Sequence, residues 1–215
     1  MTYFPLLAGK ALSLSGDPRV FHIVQKMEST IKSVEDYTCE VEQTFYQDGS
    51  EEKRSNFRFY FKKGKKIRVD FTHPYPSLTI IYLAGEDKAT VVPFRFMPLM
   101  KFRFSIQDSR LKTRAGQRID QTDMEYFIQF IRKNLESTNQ GDSEFRENQE
   151  ESVFSLFALD YITGKNLEKY RIYLSKKIWL PTCIERYDLK GSPIETTAIR
   201  DYAINTHLDD RFFDP

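Results

Sequence analysis

The three histidines and two cysteines have the most chemical reach near neutral pH, and none is spaced for catalysis or for a metal. A catalytic base needs a nucleophile within reach. His22 falls beside the apolar stripe of a helical pattern, His73 precedes Pro74 at a strand end, and His207 sits near the C-terminus. Cys39 and Cys183 belong to no C-x-x-C pair and have no histidine at zinc spacing. Both fall in strand patterns and read as two buried free thiols rather than a bridge. No G-x-S-x-G, H-E-x-x-H or phosphate-loop pattern occurs. Glu40 and Glu42 alternate with apolar residues, so they read as one wet strand face rather than an acid–base pair. These observations predict a protein that is not an enzyme, with no metal and no cofactor.

The chemistry that remains is apolar. The chain has 18 Phe and 12 Tyr against a single Trp, and such residues favour pleated, half-buried surfaces. If register follows the turns, Tyr37, Val41, Phe45, Phe57, Phe59, Phe61, Ile67, Val69, Phe71, Ile80, Tyr82 and Val91 share one sheet face. Two readings of that face stay open: a filled core, or a cavity only partly filled. In the second, each buried methylene of an acyl chain contributes ~0.8 kcal/mol, so about a dozen carbons bind well without polar contacts.

The elements that must position this face are legible. Asp17 and Pro18 open a helix whose apolar residues, Val20, Ile23, Val24, Met27 and Ile31, recur at helical spacing to about Ser33. From Asp36 the period becomes two. Strands follow to Phe94, joined at Asp48-Gly49, at KKGKK (62–66), across His73-Pro74-Tyr75-Pro76 and at Gly85-Glu86-Asp87. Thr122 with Glu125 suggests a capping box for a second helix with Met124, Phe127, Ile128, Ile131 and Leu135 on one side. Residues 137–150 read as an exposed connection. Strands return from Ser152, ending in a long one over Ile194–Ile204.

Short turns between consecutive strands imply an antiparallel meander. So many strands in one layer must curl. The expected fold is α+β: a strongly curved antiparallel sheet, an incomplete β-barrel of about nine to eleven strands, with helices covering its concave side. At 215 residues this is one domain over 18–215, with 1–17 as an N-terminal extension. The balance of 32 basic and 31 acidic residues gives no field for nucleic acid.

Residues 93–104, PFRFMPLMKFRF, fit neither period. They read either as a loop packed over one end of the sheet or as a lid formed by Phe94, Phe96, Met97, Leu99 and Met100. Basic residues flank both turn and lid, and Lys63, Arg68, Arg95 and Arg103 are expected to meet an anionic headgroup or a membrane surface.

The run DYTCEVEQTF, the hairpin, FRFYFKKGKKIRVDF and the following Pro resemble the LolA/LolB-like periplasmic lipoprotein-carrier superfamily. The closer resemblance is to an uncharacterised bacterial branch of it. That branch shares a helix like DMEYFIQFIRKNLE and an ending on Leu180, Pro181, Glu185, Tyr187, Asp188 and Gly191, then Asn205, Leu208, Asp210, Phe213, Asp214 and Pro215. The resemblance implies an unclosed barrel whose interior accepts acyl chains, with lipid or an acylated lipoprotein as partner. It further implies a place in the bacterial envelope, with a signal peptide removed before residue 1. An alternative is an envelope protein-interaction module with a solid core. In the lipoprotein carriers an Arg-Pro pair after the second strand couples lid and barrel. Here that place holds Lys63-Gly64, and lysine lacks the planar fork of arginine.

Overall fold

The computed structural model describes residues 17–97, 99–113, 116–137, 144–159, 164 and 166–214. The extension 1–16, residues 138–143 of the expected connection and Pro215 lie outside them.

Helix α1 (Pro18–Ser33) starts where the Asp17 carboxylate accepts the Arg19 N–H at 2.9 Å, and it ends as Val34 turns extended. The chain then runs through β1 (Asp36–Gln47), β2 (Ser50–Lys62), β3 (Lys66–His73), β4 (Thr79–Leu83), β5 (Lys88–Val92) and β6 (Phe102–Ser105). Helix α2 (Met124–Ser137) follows. After it come β7 (Phe145–Glu147), β8 (Glu151–Leu159), β9 (Leu167–Ser175), β10 (Leu180–Tyr187) and β11 (Pro193–Ile204).

Among the described residues eleven strands form one antiparallel sheet in the order β6-β5-β4-β3-β2-β1-β11-β10-β9-β8-β7. The first and last strands of the chain's two meanders, β1 and β11, thus meet in the middle. The edge strands β6 and β7 do not pair, so the barrel stays open. The β1–β2 hairpin turns on Asp48 and Gly49 at φ +52° and +79°. Two positive φ values in succession match the twist of the flanking strands, which is why Asp-Gly marks the turn.

Three local expectations change. Thr122 does not cap α2. Its hydroxyl donates to the Ile119 carbonyl at 2.7 Å, while the Asp123 carboxylate accepts the Tyr126 N–H at 2.9 Å. A tight turn over Ile119–Gln121 moves the helix start one residue on. Part of the 93–104 segment is strand: Phe102, Arg103 and Phe104 pair with β5. Part of the expected 137–150 connection is also strand, since Phe145–Glu147 pairs with β8. Strands of three or four residues leave no readable period.

The C-terminal signature residues hold the fold. Asp188 accepts the Lys190 and Ser192 N–H groups, each at 2.8 Å, closing the last hairpin, with Gly191 at φ +86°. Asn205 accepts the Glu35 N–H at 2.7 Å. The Leu208 N–H donates to Asp36, Asp210 pairs with Lys62 and Lys66, and Phe213 is fully buried.

Two apolar clusters divide the interior. One joins α1, α2, β8 and β9 through Val24, Met27, Ile131, Phe154, Leu156, Ile172 and Leu174. The other lies over β1–β5 around Tyr37, Phe59, Phe61, Ile67 and Val69, and α2 contributes Met124 to it.

Candidate functional site

The register places the predicted apolar face in cross-strand rows. Tyr37, Phe61, Ile67 and Tyr82 form one row. Cys39, Phe59, Val69, Ile80 and Val91 form the next, followed by Val41, Phe57 and Phe71. The Tyr37 ring stacks on Phe61 at 5.2 Å and Phe59 at 5.9 Å, and its hydroxyl accepts the Met124 N–H at 3.1 Å. Burial pushes that phenol well above its ordinary pKa. It is therefore a neutral strut between the sheet and the start of α2.

Between this face and the start of α2 lies a cavity of about 120 Å³. Tyr37, Val41, Phe57, Phe59 and Val69 of the predicted set line it, with Cys39 and Ile199 beside them. Phe61, Ile67, Ile80 and Tyr82 are buried next to it, and Phe71 and Val91 pack partly buried against the same cluster. Phe45 is buried outside both clusters. The opposite wall consists of Gln117, Gln121, Thr122, Met124 and Phe127. The α2 stripe in the sequence pointed to Met124 and Phe127. The glutamines carry no such signal, because an irregular lead-in has no period.

One end of the cavity is polar. Gln43, Thr197, Glu195 and Arg186 line it. Arg186 is buried and bridges two carboxylates: Nη1 donates to Glu195 at 2.6 Å, and Nε and Nη2 donate to Glu168 at 3.0 and 2.8 Å. Its guanidinium pKa is raised: burial works against the charge, but Tyr170 and the two carboxylates outweigh it. The hydroxyl of Tyr170 donates to Glu168 at 3.3 Å, and that of Thr197 to Glu195 at 2.9 Å. A lone arginine or glutamate on an inward strand face shows in the sequence only as a break in apolar alternation.

The expected lid and headgroup residues lie elsewhere. Phe94, Phe96, Met97, Leu99 and Met100 are exposed, and none lines the cavity. Arg68 faces the other side of the sheet, bonded to Asp70 at 3.0 Å and to the Phe212 carbonyl at 2.9 Å. Arg95 pairs with Asp70 at 3.6 Å and lines a polar groove on that side with Arg58 and Arg200. Arg103 pairs with Glu86 at the sheet edge. Lys63 donates to Glu35 at 2.8 Å and to the Lys32 carbonyl at 3.2 Å, at the end of α1.

His22, His73 and His207 are exposed. Cys39 and Cys183 are free thiols, and burial pushes them up to about 12 and about 11, so neither is a thiolate nucleophile near neutral pH. Among the described residues no helix is long and apolar enough to cross a membrane.

Among solved structures, the chain is similar to MucB, with a TM-score of 0.54 at 8% identity over 93% of this chain and 64% of that one. It is similar to the Mycobacterium tuberculosis lipoprotein LppX, with a TM-score of 0.50 at 10% identity over 90% and 99%. A LolA superfamily protein from Nitrosomonas europaea aligns over 91% and 97% at 14% identity and a TM-score of 0.42. The chain shares the fold of MucB and LppX. No family model matches the chain, and no curated protein sequence does. At these identities the likeness concerns fold alone.

At the place of the carriers' Arg-Pro pair, Lys63-Gly64 has a visible consequence. The turn between β2 and β3 touches both helices with separate lysines. Lys63 holds the end of α1, and Lys65 sits 3.5 Å from the Asp123 carboxylate at the start of α2. Asp123 is 1% exposed, and its Oδ2 has no hydrogen-bond partner among the described residues. Point charges on flexible stems hold the helices here, where a bidentate fork would hold them more rigidly.

Proposed function

We propose that this chain is a non-enzymatic binding protein of the bacterial cell envelope that takes an acyl chain of a lipid or acylated protein into the cavity beneath α2. The supporting observation is the cavity wall: Tyr37, Val41, Phe57, Phe59, Val69, Met124 and Phe127 present hydrocarbon and ring faces around unfilled space. Burial of methylenes against such a wall supplies affinity without directional bonds. At about 120 Å³ the space is a starting pocket. Displacement of the start of α2, which only side-chain contacts hold to the sheet, enlarges it. The likeness in fold to the lipoprotein LppX, with the sequence's resemblance to the periplasmic lipoprotein carriers, supports the envelope setting.

Exposed Phe94, Phe96, Met97, Leu99 and Met100 favour a second role for the same molecule, docking on an envelope protein. MucB, of like fold, has been solved in complex with MucA.

One experiment separates the two. Native mass spectrometry of the protein purified from cells should show co-purifying acyl species, and the stripped protein should take up a neutral naphthylamine dye. The double variant Phe96→Ser with Leu99→Ser should keep dye uptake and lose partners in pull-downs. Ligand-free protein that takes up no dye would sink the acyl-binding reading.

A further inference from the structure

The polar end of the cavity is charged and unbalanced. Two carboxylates, Glu168 and Glu195, face one guanidinium, Arg186, and all three are at most 8% exposed. Every Arg186 nitrogen already donates to one of the two glutamates. The guanidinium is thus shared between two carboxylates, and the cluster carries one uncompensated negative charge where solvent screening is weak. The neighbours do not change the sign. Lys169 and Arg171 sit on the same strand as Glu168 but point to the other face, where they pair with Glu144. Gln43, Gln117, Gln121 and Thr197 at the cavity are neutral. The side-chain amide of Gln117 belongs to the cavity lining, where a neutral headgroup can meet it. Gln43 reaches Glu195 only at 3.4 Å.

From this geometry we infer that the cavity selects among amphiphiles by head charge. It accepts acyl chains that end in a neutral ester or amide, or in an ammonium group, and rejects free fatty acids and anionic phospholipid heads. The tail lies along Val41, Phe59, Val69 and Met124, and the head meets Gln43, Gln117 and Glu195. The inference rests on the acyl-binding reading and goes further by naming the ligand class. It also reverses the direction expected from the basic residues of the sequence. Lys63, Arg68, Arg95 and Arg103 are all engaged away from the cavity, so its polar end is acidic where the sequence suggested a basic mouth.

The test is a competition at neutral pH. Monolauroylglycerol, dodecylamine and dodecanoate, each below its micelle concentration, displace the naphthylamine dye from the full chain. The neutral and cationic probes should bind at least about tenfold more tightly than dodecanoate. In Glu195→Gln, and separately in Glu168→Gln, cluster and guanidinium balance, and the dodecanoate disadvantage should shrink to about threefold or less. Dodecanoate binding as tightly as the other probes to the unsubstituted protein would overturn the head-charge inference and leave the cavity intact. Failure of all three probes to displace the dye would overturn both. The ranking on the unsubstituted chain stands even if a variant fails to fold.

Discussion

The two halves of the sheet are built from the same strand chemistry and filled differently. On β8 and β9, Phe154, Leu156, Tyr170, Ile172 and Leu174 are all completely buried, packed by α1 and the body of α2. On β1–β3, Val41 is 9% exposed, Val69 is 5% exposed, and Phe57 and Phe71 are only partly buried. The difference lies in the helices. Two full apolar stripes lie over the second half, whereas the first is met by Ile31 near the end of α1 and by Met124 and Phe127 at the start of α2. Close packing is the default of a protein interior. An aromatic strand face that helices cover only in part is therefore where space can persist.

That contrast predicts opposite responses to a change of side-chain volume. Phe154→Ala, in the filled half, removes a ring with no path for collapse. It should cost about 3–5 kcal/mol in urea unfolding with an unchanged slope. A cost below about 1.5 kcal/mol would show that this half also relaxes easily, and the comparison would fail.

At the seam between the halves, the next effect is electrostatic. Asp36 on β1 is 1% exposed. Burial alone would raise its pKa. The Thr206 hydroxyl at 2.9 Å, the Thr206 N–H at 2.7 Å and the Leu208 N–H at 3.1 Å outweigh that and hold it below the ordinary carboxylate value. A depressed carboxyl stabilises the fold above its unfolded pKa, and that contribution is lost as pH falls through the folded value. Asp36→Asn should therefore cost about 1–2 kcal/mol at neutral pH. The gap between variant and parent should close below about pH 4. A gap of constant size down to acid pH would mean that the charge contributes nothing to the seam.

Much of this architecture was legible from the chain. Period-two alternation, the Asp48-Gly49 turn and the Asp17-Pro18 start fixed β1–β5 and α1 to within a residue or two, because each rests on a local physical preference. The antiparallel curl followed from strand number. An unclosed barrel was expected from the strand number and the helices on its concave side, but that β6 and β7 are the edges was not, since nothing local records which strands fail to pair. The cavity was half legible. Tyr37, Val41, Phe57, Phe59 and Val69 came from register, which two-residue periodicity transmits faithfully. Gln117, Arg186 and Glu195 did not, because a polar residue pointing inward looks, in one dimension, like one pointing out. The basic residues misled for the same reason. Arg68 alternates onto the far face and is spent on Asp70 and the Phe212 carbonyl.

The smallest stability effect is expected where the binding effect is largest. Val69 lines the cavity from β3, in the row of Cys39 and Phe59. A phenylalanine in its place would crowd a filled core, and overpacking of that kind typically costs about 1–3 kcal/mol. Here the added ring has vacant space to enter. Val69→Phe should change unfolding free energy by no more than about 1 kcal/mol while cutting dye affinity at least about tenfold. Equal losses of stability at Val69→Phe and at an enlarged side chain in the filled half, such as Ala158→Phe, would mean that both halves are equally tight. Stability kept together with full dye uptake would mean that the ligand enters elsewhere. Only the split result, a tolerated ring and a blocked pocket, follows from space left where the helices cover the sheet only in part.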